Sequence, residues 1–119
     1  MEYKEALLQV IEGWNSEQIE DEWLFAKFRE QTVCVMSAAE AFEAIDETVD
    51  LLLCEQDEST ATEILQSIIG LARQSQTTEL PNSLLRNRDE IQIKFSEFGD
   101  YAKNRMLELY QPYRIPNDR

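Results

Sequence analysis

Histidine is absent from all 119 residues. That removes Ser-His-Asp and Cys-His nucleophile activation, histidine-ligated zinc and the Glu-x-x-His pairs of di-iron helical bundles. Two-carboxylate hydrolysis, a lysine nucleophile and carboxylate-held Mg²⁺ survive the exclusion, but no residues stand at a spacing diagnostic of them. The expectation is a protein that is not an enzyme, with no catalytic residues, no cofactor and no metal.

The two cysteines, Cys34 and Cys54, form no CxxC pair, so they are expected to be reduced thiols serving as small apolar residues, with a mutual disulfide the alternative. Only three Gly and three Pro accompany 43% hydrophobic residues, which argues against both disorder and a turn-rich all-β fold. No apolar run approaches the ~20 residues of a membrane span. The first residues lack the basic start and apolar core of a signal peptide, so a cytoplasmic protein is expected. The length suits one helical domain, residues 1–119, able to bury a modest core without staples.

Basic residues are missing from one region altogether: positions 30 to 72 hold ten Asp and Glu and no Lys or Arg. Residues 1–58 carry 16 acids against Lys4, Lys27 and Arg29, and 3 − 16 gives −13, the net charge of the whole chain. Residues 59–119 carry eight of each sign and sum to zero. A field this lopsided attracts cations and repels nucleic acid and anionic lipid, so a basic protein partner is expected, with no direct nucleic-acid or membrane contact.

Along the chain, Tyr3, Leu7, Val10, Ile11 and Trp14 recur at helical intervals. A second helix is expected to start from an Asn15 or Ser16 cap, with Glu17, Glu20, Asp21 and Glu22 in its first turns. Its aromatic block of Trp23, Phe25 and Phe28 with Leu24 covers too much circumference for one layer, so part of it is expected at the surface. The β-branched stretch from Thr32 to Met36 has no second strand to pair with and reads as buried helix or apolar turn.

Ser37 and Glu40 form a capping-box pattern ahead of a helix from about Ala38 to Cys54. Its core stripe is Ala38, Ala41, Phe42, Ile45, Val49, Leu52 and Leu53, with Leu51 at the edge of the acidic strip and without a core role. Glu40, Glu43, Asp46, Glu47 and Asp50 share its flank and back, with no base three or four residues away. After the acidic connector Glu55, Asp57 and Glu58, a second capping box at Thr60 and Glu63 opens a helix striped by Ala61, Ile64, Leu65, Ile68, Ile69 and Ala72, predicting an antiparallel hairpin. Pro81 suits the first turn of a further helix, and helical spacing runs from Leu84 to Tyr110 with a bend near Gly99. The fold class is therefore all-α, a helical bundle or short α-solenoid of about five or six helices.

Acidic helix faces are ordinarily just solvated surface. Here Glu43 with Glu47 and Asp46 with Asp50 place like charges at i, i+4, costing together on the order of 1 kcal/mol that a single lysine would relieve. A penalty confined to one region suggests a use, and makes Glu20, Asp21, Glu22, Glu40, Glu43, Asp46, Glu47, Asp50, Glu55, Asp57 and Glu58 the candidate partner-binding residues. For Trp14, Trp23, Tyr110 and Tyr113 core packing is the simpler role. Arg86, Arg88, Lys103 and Arg105, with Asp89, Glu90, Asp100 and Glu108 nearby, read as mixed surface.

The acidic span from Glu40 to Glu58 on a helical hairpin, and the closing run from Gly99, Asp100 and Tyr101 to Tyr110, Tyr113 and Ile115, resemble small acidic helical immunity proteins of bacterial polymorphic and contact-dependent toxin systems, some of them HEAT-like. The resemblance covers the whole chain in size and character. It implies a protein that binds and neutralises a cognate basic toxin domain, commonly a nuclease, with carboxylates standing where phosphates would lie. Two alternatives share the composition: a DNA-mimic inhibitor of a nucleic-acid-binding enzyme, and a helical adaptor or scaffold using the apolar residues from Trp23 to Phe28.

Overall fold

Two long helices joined by three residues form the centre of the molecule. The computed structural model describes residues 3–15, 24–77 and 79–111. Helix α1 spans Tyr3–Asn15, and α2, Leu24–Phe28, runs on into a π-helical turn, Arg29–Val33. The central pair is α3, Ala38–Cys54, and α4, Glu58–Ser75; then come α5, Asn82–Arg86, α6, Arg88–Phe98, and α7, Asp100–Tyr110. Among the described residues there is no strand, and no helix is long and apolar enough to cross a membrane.

Helix α3 begins and ends where its sequence pattern places it. The Glu40 N–H donates to Ser37 Oγ at 3.1 Å and the Ser37 N–H to Glu40 Oε1 at 2.9 Å, so two orphan amides of the first turn are satisfied reciprocally. Its inward residues are Ala41, Ala44, Ile45, Thr48, Val49 and Leu52. Ala38 is exposed and Phe42 and Leu53 are only partly buried, so the true stripe is shifted toward Ala44 and Thr48. Leu51, against expectation, packs on the core.

Helix α4 starts earlier than its Thr60 pattern suggests. Asp57 is the cap: its carboxylate accepts from the Thr60 N–H at 2.9 Å and from the Thr60 hydroxyl at 3.0 Å. A carboxylate three residues upstream captures the amide that would otherwise lie deeper in the helix, and Thr60 is buried within the first turn. Glu63 is thereby free to pair with Arg29 at 3.3 Å. At the other end Gln76 adopts a left-handed conformation (φ 55°), and Gln74 Nε2 donates to the Met36 carbonyl at 2.6 Å, pinning the turn before α3 to the end of α4.

Every element packs on this hairpin directly or through one neighbour: α1 against both helices, the π-turn and α7 against α4, and α5 against α3. Phe25 and Phe28 enter the core rather than the surface; Phe25 meets Trp14 edge-on at 5.1 Å and Phe28 meets Tyr3 at 5.7 Å. Trp23 lies outside the described residues. The stretch from Thr32 to Met36 divides, with Val33 buried and Val35 75% exposed in a turn. The C-terminal helical run is interrupted at Gly99, where a bend is expected and whose φ of 122° is open to glycine and strained for other residues, and also at Asn87, where no break is expected. The interruption at Gly99, with the separate α5, raises the helix count to seven among the described residues.

The buried side chains form one contiguous cluster. The five buried Ser and Thr hydroxyls among the described residues are all engaged: Thr48, Ser67 and Ser75 donate to the carbonyls of Ala44, Glu63 and Ala72, Thr60 to Asp57 and Ser83 to Asp46. The molecule measures 49 × 34 × 19 Å, and its radius of gyration of 13.9 Å is near the ~13.5 Å of a compact chain of this length.

Candidate partner-binding face

On α3 the core residues and the acids occupy opposite sides. An α-helix advances about 100° per residue, so Glu40, Glu43, Asp46, Glu47 and Asp50 fall within about a third of the circumference, diametrically across from Ile45, Thr48 and Leu52. All five are exposed, as are Asp57 and Glu58 in and beyond the connector, while Glu55 is partly buried. Cys54 continues the same outer column at the end of the helix and is a free, exposed thiol. Cys34 is likewise free and exposed, so neither cysteine serves as a buried apolar residue.

The acids of this face divide by employment. Glu40 closes the capping box; the Ser37 backbone N–H, then the Ser37 side chain, hold its carboxyl below the usual range. Asp46 accepts from the buried Ser83 hydroxyl of α5, Glu55 Oε2 accepts from the Asp57 N–H at 3.1 Å, and Asp57 caps α4. These four roles are structural; type and spacing disclose that of Glu40, through the Ser37–Glu40 pattern, and not those of Asp46, Glu55 and Asp57. The side chains of Glu43, Glu47, Asp50 and Glu58 make no hydrogen bond or ion pair among the described residues. Glu20, Asp21 and Glu22 lie outside the described residues.

Among the described residues, the C-terminal arginines do not neutralise this face. Arg105 pairs with Glu108 at 2.7 Å on its own helix, Arg88 stands 5.9 Å over the Tyr110 ring, and the remaining ion pair among the described residues, Arg29 with Glu63, belongs to the π-turn and α4. Like charges therefore stand side by side on one surface in water, where each keeps its hydration and the cost to the fold stays small.

Tyr3 of α1 reaches the flank of the same helix. Thr48 Oγ1 lies 2.8 Å from both the Tyr3 hydroxyl and the Ala44 carbonyl. A carbonyl only accepts, so the Thr48 proton goes to Ala44 and Tyr3 donates to Thr48. Burial pushes the Tyr3 pKa well above the ordinary tyrosine value, and the nearby Glu47 charge adds to the shift.

No group of three or more His, Cys, Asp or Glu among the described residues is arranged to hold a metal ion. Chemically, the face offers a row of hydrated carboxylates on a rigid helix, suited to meeting cationic side chains and not to proton transfer at a shielded centre. No protein-family model matches this chain, and neither the curated proteins nor the solved structures contain a match to it.

Proposed function

We propose that this protein is a cytoplasmic immunity-type inhibitor, not an enzyme, which captures a basic toxin domain, such as a nuclease, on the outer face of α3 and the connector to α4. The observation that carries the reading is that Glu43, Glu47, Asp50 and Glu58 are exposed together without an internal partner, although the rest of the chain has bases to offer. The remaining acids of the face are held in place by their structural bonds, which pre-orders the surface and lowers the entropy lost on docking. The successive pairing of α1 with α2, α3 with α4 and α6 with α7 is read as a short HEAT-like stack that displays α3 on its outside.

Phe25 and Phe28 are buried and do not serve the adaptor reading, which then rests on Trp23, outside the described residues. The DNA-mimic reading uses the same carboxylates and is separated by experiment. Association is measured with the basic C-terminal domain of the protein encoded directly upstream. A salt-dependent rate, slowed about tenfold or more by the Glu43→Lys, Glu47→Lys, Asp50→Lys triple variant, is the expected outcome. A rate insensitive to both salt and the triple variant rejects the inhibitor, and competition with duplex DNA for many unrelated basic proteins replaces it with the mimic.

A further inference from the structure

Three separate elements bring arginines together beside α4. Arg29 of the π-turn, Arg73 of α4 and Arg105 of α7 line one cavity of about 440 Å³ together with Gln66, Cys34 and Glu108. An adjoining hollow of about 550 Å³ between α4 and α7 shares Arg73 and Glu108 as walls. In a chain with only 11 bases against 24 acids, gathering three guanidinium groups on one groove is the opposite of what solubility or charge balance requires.

Two carboxylates accompany them, and neither exhausts the donors. Glu63 and Glu108 engage only Nη1 of Arg29 and of Arg105, and 3 − 2 leaves one net positive charge at the groove. The Arg73 side chain is exposed and has no ion pair or hydrogen bond among the described residues. Arg105 Nε is buried and meets no acceptor among the described residues, which leaves its desolvation without an offset there. Guanidinium groups present flat forks of N–H donors that fit the paired oxygens of a phosphate or carboxylate. The hollow is of the size that accommodates a small molecule.

We propose that this groove is a binding site for a small polyanion, an organic phosphate or polycarboxylate, whose oxyanions span Arg73 and Arg105 with Arg29 at the far wall. The site is independent of the acidic face of α3, and neither proposal needs the other.

The probes are pyrophosphate and citrate, titrated calorimetrically into the full chain at ionic strength held constant with potassium chloride. Saturable one-to-one binding of at least one probe is expected, weakened roughly 10- to 100-fold by Arg73→Gln and by Arg105→Gln and unchanged by Arg86→Gln on α5. Pyrophosphate alone binding assigns the phosphoryl source, and citrate alone the carboxylate source. The bound anion is also expected to slow alkylation of Cys34 while leaving Cys54 unaffected. Should Arg105→Gln lose its helical circular dichroism, Arg105→Lys keeps the charge without the fork and is expected to weaken binding by a similar factor. Failure of both probes to saturate overturns the site, as does binding indifferent to Arg73→Gln and Arg105→Lys in folded protein.

Discussion

The Ser83 hydroxyl of α5 donates to the Asp46 carboxylate of α3, 37 positions earlier in the chain. A residue on the acidic face thus helps to anchor a five-residue helix too short to be stable alone, together with buried Leu84 and the Tyr110 hydroxyl, which donates to the Leu84 carbonyl. Hydrogen bonds to charged acceptors are stronger than neutral ones. Ser83→Ala is expected to cost about 1–2 kcal/mol in urea denaturation while leaving the association rate of the acidic face unchanged. A loss of both together would mean that α5 is part of the docking surface.

Asp57 has two separable duties, capping α4 and adding charge beside Glu58. Asp57→Ala is expected to lose about 1 kcal/mol of stability, whereas Asp57→Ser keeps a capping oxygen and loses little. Both remove the charge, so both are expected to slow capture of a basic partner equally. Comparing melting curves and association rates of the two variants checks the division.

Gly70 and Gly99 respond oppositely to alanine. At Gly70, inside α4, an added methyl would sit 3.7 Å from Val33 Cγ1, an ordinary contact, so Gly70→Ala is expected to stabilise by about 0.5–1 kcal/mol through helix propensity. At Gly99 there is open space, yet φ is 122°, and Gly99→Ala is expected to cost about 1–3 kcal/mol from backbone strain alone. Chemical denaturation of the pair reads both signs directly.

Tyr3 makes stability sensitive to alkali. Its folded pKa is raised, so the unfolded chain releases the proton first; the contribution is intact below about pH 10 and is lost as pH rises from there toward the folded value. Tyr3→Phe is expected to flatten that alkaline decline. Glu40 acts at the other end of the scale with the opposite sign: its folded pKa is lowered, so its contribution is present above the ordinary glutamate range and fades as pH falls. Glu40→Gln is expected to remove that acid-side component in the same unfolding series.

How much of this was legible in sequence depends on how local the cause is. The ends and outer face of α3 could be read from Ser37, Glu40 and the i, i+3, i+4 spacing because every determinant lies within one helix. The start of α4 was misplaced since Thr60 and Glu63 mimic a cap motif while Asp57 wins the competition by chemistry that pattern alone does not rank. Part of the block from Trp23 to Phe28 is expected at the surface, and nothing local reveals that Phe25 and Phe28 are the members that Trp14 and Tyr3 of α1 cover. The tie between Asp46 and Ser83, and the meeting of Arg29, Arg73 and Arg105, are purely tertiary events between distant segments, and no window along the chain contains them.

Helix α3 keeps its two columns of side chains separate: one locks into α4, and much of the other touches only solvent. Glu43, Glu47 and Asp50 can therefore be exchanged for other residues at almost no risk to the architecture, since nothing inside the molecule leans on them. A lineage under pressure from changing adversaries could retune its outward chemistry substitution by substitution while inheriting the same scaffold intact.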